Sequence, residues 1–118
     1  MNKIKFINDD DAVNKMIDAA IKHSISSVNG DYKDANMNFD IVQNAVHYLR
    51  YINQLDKLRA LLYNENVSVR LAAASYFLVH DERIAIEILE NIVKQNLPHM
   101  SFNAKMVLSE WKDGNLKL

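Results

Sequence analysis

Between Asp9 and Gly30 the apolar residues recur with a helical period. Val13, Met16, Ile17, Ala20, Ile21 and Ser24 stand at i, i+3, i+4, i+7, i+8 and i+11, which predicts one apolar face on a helix of about 17 residues. Asp9, Asp10 and Asp11 precede it, supplying N-cap candidates and the negative charge that a helix N-terminus favours. Serines and the β-branched Ile25 and Val28 weaken its end, and Asn29-Gly30 closes it as a C-cap. Residues 1–8 form a short arm whose Ile4, Phe6 and Ile7 are placed to tuck against the domain.

A second helix is predicted from Asp31 to Ile52, and it carries two apolar stripes. Phe39, Val42, Val46 and Leu49, with Tyr32 and Ala35 upstream, make one seam. Met37, Ile41, Asn44, Tyr48 and Tyr51 make another, at i, i+4, i+7, i+11 and i+14, nearly opposite the first. A helix apolar on opposite sides is either sandwiched between neighbours or leaves one stripe for a partner. Under the second reading, Met37, Ile41, Asn44, Tyr48 and Tyr51 are the candidate partner-binding residues, centred on tyrosines that offer a large rigid contact and a hydroxyl.

Leu55, Leu58, Leu61 and Leu62 predict a short third helix. After the polar turn Asn64-Glu65-Asn66, with Asn66 as N-cap, a fourth carries Val69, Ala72, Ala73, Tyr76 and Phe77 on one broad face. Leu71, Ala74 and Leu78 fill much of the rest, and three consecutive alanines permit close approach on several sides, so this is expected to be the central helix. Arg70 near its N-terminus is unfavourable for the helix dipole unless it is paired, and a carboxylate or carbonyl on an adjacent helix is the expected partner. Asp81 caps a fifth helix whose core face is Ile84, Ile88, Leu89, Ile92 and Val93. Pro98 marks the next loop. Ser101 opens a sixth helix with Ala104, Val107, Leu108 and Trp111 at i, i+3, i+4 and i+7, and Gly114 ends it. Trp111 is expected to close the core at that end.

Short helices joined by polar turns and arranged as antiparallel pairs mark a helical-repeat architecture. The run Asn66-Val67-Ser68-Val69-Arg70-Leu71-Ala72-Ala73-Ala74 resembles the HEAT-repeat signature, in which Asp or Asn precedes Val-Arg and an alanine-rich turn. Val67 stands where that signature usually has proline. Together with Gly30-Asp31-Tyr32-Lys33 and Asn36, and with Phe102-Asn103-Ala104-Lys105-Met106-Val107-Leu108 to Trp111, the chain resembles a small bacterial HEAT-like family classed as a domain of unknown function. The likeness runs over roughly residues 10–116. It implies a compact all-α domain, an α-α superhelix of about six helices packed as antiparallel pairs, spanning residues 9–118 behind the arm. It carries no catalytic or binding residues across.

Composition narrows the function more than it names one. At 118 residues with 49% hydrophobic content, the chain can bury one core without staples. With 14 Lys+Arg against 15 Asp+Glu, there is no general electrostatic pull toward nucleic acid or anionic membrane. No cysteine is present, which removes disulfides, thiol nucleophiles and Cys-based metal sites. Two glycines and one proline are too few for the turns of an all-β fold or for a phosphate-binding glycine loop. Met1 to Asp11 lacks the apolar core of a signal peptide, and Leu71 to Val79 is too short to span a bilayer. A cytoplasmic location is expected.

The four histidines, His23, His47, His80 and His99, form no His-x-x-x-His or His-Glu-x-x-His spacing. The order His47, His80-Asp81, Asp113 mimics that of the all-α HD phosphohydrolases, whose divalent metals favour such ligands. Asp81 already serves as a helix cap, however, and Asp113 sits in a C-terminal turn. Glu87/Glu90 and the Asp9–Asp11 run read as solvated faces and caps rather than acid–base pairs. The expectation is a non-enzymatic module with no cofactor and no metal, binding a protein partner and neither nucleic acid nor membrane. One concrete form is an immunity protein that neutralises a cognate bacterial toxin. A structural homodimer formed through the Met37–Tyr51 stripe is the alternative, and a small metal-dependent HD-like hydrolase the remote one.

Overall fold

Three helices begin where a polar side chain replaces the hydrogen bonds that a first turn lacks. The structure, a computed structural model, describes residues 5–116 and 118. Helix α1 spans Asp9–Asn29, α2 Tyr32–Tyr51, α3 Val67–Phe77, α4 Glu82–Lys94 and α5 Met100–Lys112, with a 3-10 segment, Leu55–Tyr63, between α2 and α3. There is no strand among the described residues, so the chain is all-α as expected. Asn8 caps α1 by accepting from Asp11 N at 2.9 Å. The three aspartates expected as caps form the first turn instead, where their charge opposes the dipole. Asp31 caps α2 by accepting from Asp34 N, and Asn66 caps α3 by accepting from Ser68 N at 2.8 Å.

The chain divides into two compact units, Met1–Lys57 and Leu58–Leu118. In the first, α1 and α2 form an antiparallel hairpin. Gly30 ends α1 in the left-handed conformation (φ 77°), its N–H pointing back at the Ser26 and Ser27 carbonyls. Near this turn the Ser26 hydroxyl meets Asp34 Oδ2, and His23 Nδ1 lies 2.9 Å from the Ala35 carbonyl. A carbonyl can only accept, so Nδ1 carries the proton there.

The α1 face differs from the predicted one by a rotation of about one position. Ala12, Met16, Ala19 and Ala20 are buried, while Val13, Ile17, Ile21 and Ser24 are half-buried. Alanines on both helices, including Ala35 and Ala45 of α2, let the backbones approach closely, and the larger side chains are displaced to the flanks. On α2, Val42, Val46 and Leu49 are buried as expected, but Tyr32 and Phe39 are exposed. Asn38, which is only 3% exposed, joins the seam in their place. Its amide donates to the Asp34 carbonyl at 2.9 Å and to Asp34 Oδ2 at 3.2 Å, which satisfies a polar group that periodicity alone would not place inside.

In the second unit α3 packs on α4 and α5. None of the residues of α3 is exposed, and Val69, Ala73, Ala74 and Phe77 are buried. Helices α4 and α5 are antiparallel. Ser101 Oγ donates to the Ile92 carbonyl at 2.6 Å near the connecting loop, and Trp111 Nε1 donates to Glu82 Oε2 at 2.7 Å at the far ends.

Three local expectations change. The leucine segment is 3-10 rather than α, and three residues per turn align Leu55, Leu58 and Leu61, all buried, in one row. Arg70 finds carbonyls as anticipated, but those of Asn64 and Glu65, at 2.7 and 3.1 Å, in the turn before its own helix. Asp81 occupies the N-cap position of α4 without a capping hydrogen bond, because its carboxylate lies 3.3 Å from Arg59 Nη1.

Candidate functional site

Helix α2 carries the five residues singled out from the sequence. At 100° per residue, Met37, Ile41, Asn44, Tyr48 and Tyr51 fall within a sector of about 80°, and Met37 to Tyr51 spans about 21 Å along the axis. The ends of the stripe lie in solvent: Met37 is 55% exposed and Tyr51 89%. Ile41, Asn44 and Tyr48 between them are half-buried. The Asn44 amide donates to the Asp40 carbonyl at 2.8 Å, so its nitrogen is turned onto its own helix. Full sandwiching of this stripe does not occur.

Tyr48 is half-buried by a residue of the arm. The Phe6 ring lies 5.2 Å from the Tyr48 ring, tilted by 48°. Of the arm residues expected to tuck in, Phe6 does so, Ile7 is exposed, and Ile4 lies outside the described residues. Sequence reading grouped Phe6 with the arm and did not connect it to the stripe. Nothing in the sequence signals that contact, which is set by how the arm meets α2.

The histidine–aspartate candidates have other surroundings. His80 stacks on Phe77 with ring centroids 4.9 Å apart, Asp81 is paired with Arg59, His47 is exposed, and Asp113 sits at the C-terminal end of α5. No group of three or more His, Cys, Asp or Glu among the described residues could hold a metal ion.

One groove lies on the second unit between α4 and α5. It has a volume of about 560 Å³ and is lined by Glu82, Ile86, Glu90, Leu108, Ser109, Trp111 and Lys112. Trp111, expected to close the core, is half-buried here, its indole held by Glu82. The rim carries both signs of charge, Glu82 and Glu90 against Lys112. No described helix is long and apolar enough to cross a membrane.

The fold defines an all-α protein, with Met37 and Tyr51 of the α2 stripe exposed. No family model matches the sequence, and no curated protein matches it. Among solved structures, the chain is similar to the protein RPA1889 from Rhodopseudomonas palustris CGA009. The two share 24% identity with a TM-score of 0.87, over 95% of this chain and 94% of that one. At that identity the likeness shows the fold.

Proposed function

We propose that the chain is a non-enzymatic protein-binding module that engages its partner through the Met37, Ile41, Asn44, Tyr48 and Tyr51 face of α2. The observation that carries this reading is the exposure of Tyr51 and Met37 at either end of the stripe. Large apolar side chains left in solvent on one surface lose water when another molecule covers them, and tyrosine is among the residues that dominate such contacts. With 14 basic against 15 acidic residues, overall charge gives little long-range steering, so contact area rather than net charge supplies the affinity. As its concrete role we propose an immunity protein that binds and silences a bacterial toxin.

The test is affinity capture from the native host, comparing the unaltered chain with a Met37→Ser/Tyr51→Ser double variant. One protein is expected to be retained by the first and lost from the second, to be toxic when expressed alone, and to be tolerated when the chain is co-expressed. Equal retention by both would remove α2 as the contact surface. Loss accompanied by a dimer-to-monomer shift in light scattering would identify a second copy as the occupant. A captured protein without toxicity would end the immunity role.

A further inference from the structure

The contacts at Lys5, Phe6 and Ile7 read a backbone or side-chain feature of each of three consecutive residues. Lys15 Nζ donates to the Lys5 carbonyl at 3.3 Å. The Phe6 ring packs on Tyr48, and the same Lys15 ammonium stands 5.6 Å from its centroid, within the range of a cation–π contact. Asp11 Oδ2 accepts the Ile7 N–H at 2.9 Å and also holds Lys15 Nζ at 3.1 Å. The Lys5 and Ile7 residues themselves are exposed. The features read are therefore a carbonyl, an aromatic ring and the next N–H, of which the ring alone depends on sequence.

We propose that Tyr48, Asp11 and Lys15 form a seat for an aromatic residue in a segment of the protein partner, and that Phe6 of the arm fills this seat until the partner displaces it. The proposal rests on the reading of α2 given above and names the chemistry its partner presents. Tyr48 lies between Met37 and Tyr51, one helical turn before Tyr51, so a partner covering both ends meets the arm between them. The hydrogen bonds that hold Lys5 and Ile7 are solvent-accessible, whereas a partner adds the flanking apolar area. Covalent attachment gives the arm a high effective concentration, and its displacement sets a threshold that only a segment with further contacts crosses.

The test uses the full-length Phe6→Ala chain and two synthetic octapeptides, MNKIKFIN and its Phe6→Ala counterpart, with binding followed by NMR shifts of the Asp11, Lys15 and Tyr48 amides. MNKIKFIN is expected to bind the Phe6→Ala chain roughly tenfold more tightly than the alanine peptide does, and roughly tenfold more tightly than it binds the unaltered chain. Equal affinity of the two peptides, or no shift up to millimolar peptide, would overturn the seat. Asp11→Asn, which keeps the aromatic, gives a second readout. The Phe6 and Ile7 amides should move toward free-peptide positions while the helical signals stay, and unmoved arm amides would overturn the role of Asp11. Neither measurement needs the partner, so failure of the seat and failure of the partner reading are distinguishable.

Discussion

In the unit Leu58–Leu118, α3 packs on both α4 and α5 and exposes none of its residues. In the unit Met1–Lys57, α2 packs on α1 and keeps Tyr32, Met37, Phe39 and Tyr51 in solvent. Both helices are rich in apolar residues, yet those residues serve different ends. A helix hairpin offers each member one face to bury, so a second apolar stripe has no partner inside the hairpin. The two interiors differ in chemistry as well. Phe77, Leu89 and Ile92 make an apolar core in one unit, while the α1–α2 contact includes the Ser26, Asp34 and Asn38 polar cluster. Packing thus explains α3, and it leaves a surplus of apolar surface on α2 facing outward.

The sharpest way to break this comparison is to truncate one aromatic residue from each helix. Phe77 is completely buried, lies beside His80, and has the Arg59 guanidinium 5.1 Å from its ring centroid. Phe77→Ala is expected to cost about 3–5 kcal/mol in denaturant unfolding. Tyr51→Ala, at a side chain almost wholly in solvent, should stay within about 0.5 kcal/mol. Comparable losses at the two sites would mean that Tyr51 is structural and would undo the functional reading of α2.

The polar cluster comes next in size. Asn38→Ala removes the donor that meets the Asp34 carbonyl and carboxylate and is expected to cost about 1–3 kcal/mol. Asn38→Leu tests whether the seam wants polarity or only volume. It should be as destabilising or worse, because Asp34 then loses a donor while a larger apolar group faces it. Denaturation midpoints that rise for Asn38→Leu would show the cluster to be a packing fault rather than a specifying contact.

Which parts of this were legible in the sequence follows from the range over which each is decided. The α1–α2 boundary was readable because Asn29-Gly30-Asp31 holds both a left-handed stop and a cap within three residues. Asn66 was readable for the same reason. The aspartate run was misassigned by one residue, since Asn8 is an equally good cap and leaves all three carboxylates in the favourable first turn. Leucines at 55, 58 and 61 satisfy a 3-10 row as well as an α face, so spacing could not choose between them. Arg70 was expected to reach an adjacent helix but is met by the turn just before its own, and Asp81 holds the expected N-cap position but gives its carboxylate to Arg59, 22 residues earlier in the chain. The α2 stripe was visible as periodicity. The Phe6 that shields its centre was not, because nothing in the chain's hydrophobic pattern ties residue 6 to residue 48.

The smallest effect concerns the latch on that shield. The Ile7 N–H, followed by the Lys15 hydrogen bond, holds the Asp11 carboxyl below the ordinary aspartate value of 3.8; burial opposes them less strongly, and the Lys15 charge adds the smallest lowering effect. The unfolded chain lacks these partners, so Asp11 is ionised more readily in the folded state. Its contribution is therefore fully present above pH 3.8 and is lost as pH falls through the lower folded value. Because the latch is at the surface, the global unfolding midpoint should barely respond. The Ile7 amide should, however, shift in NMR in step with the Asp11 carboxyl. In a Lys15→Gln chain that titration should move up toward 3.8 but not reach it, since the Ile7 N–H, the larger cause, remains. An Ile7 amide that ignores the Asp11 titration would mean that the Asp11 carboxylate does not hold the Ile7 N–H. The seat would then read an aromatic ring without reading the backbone that follows it.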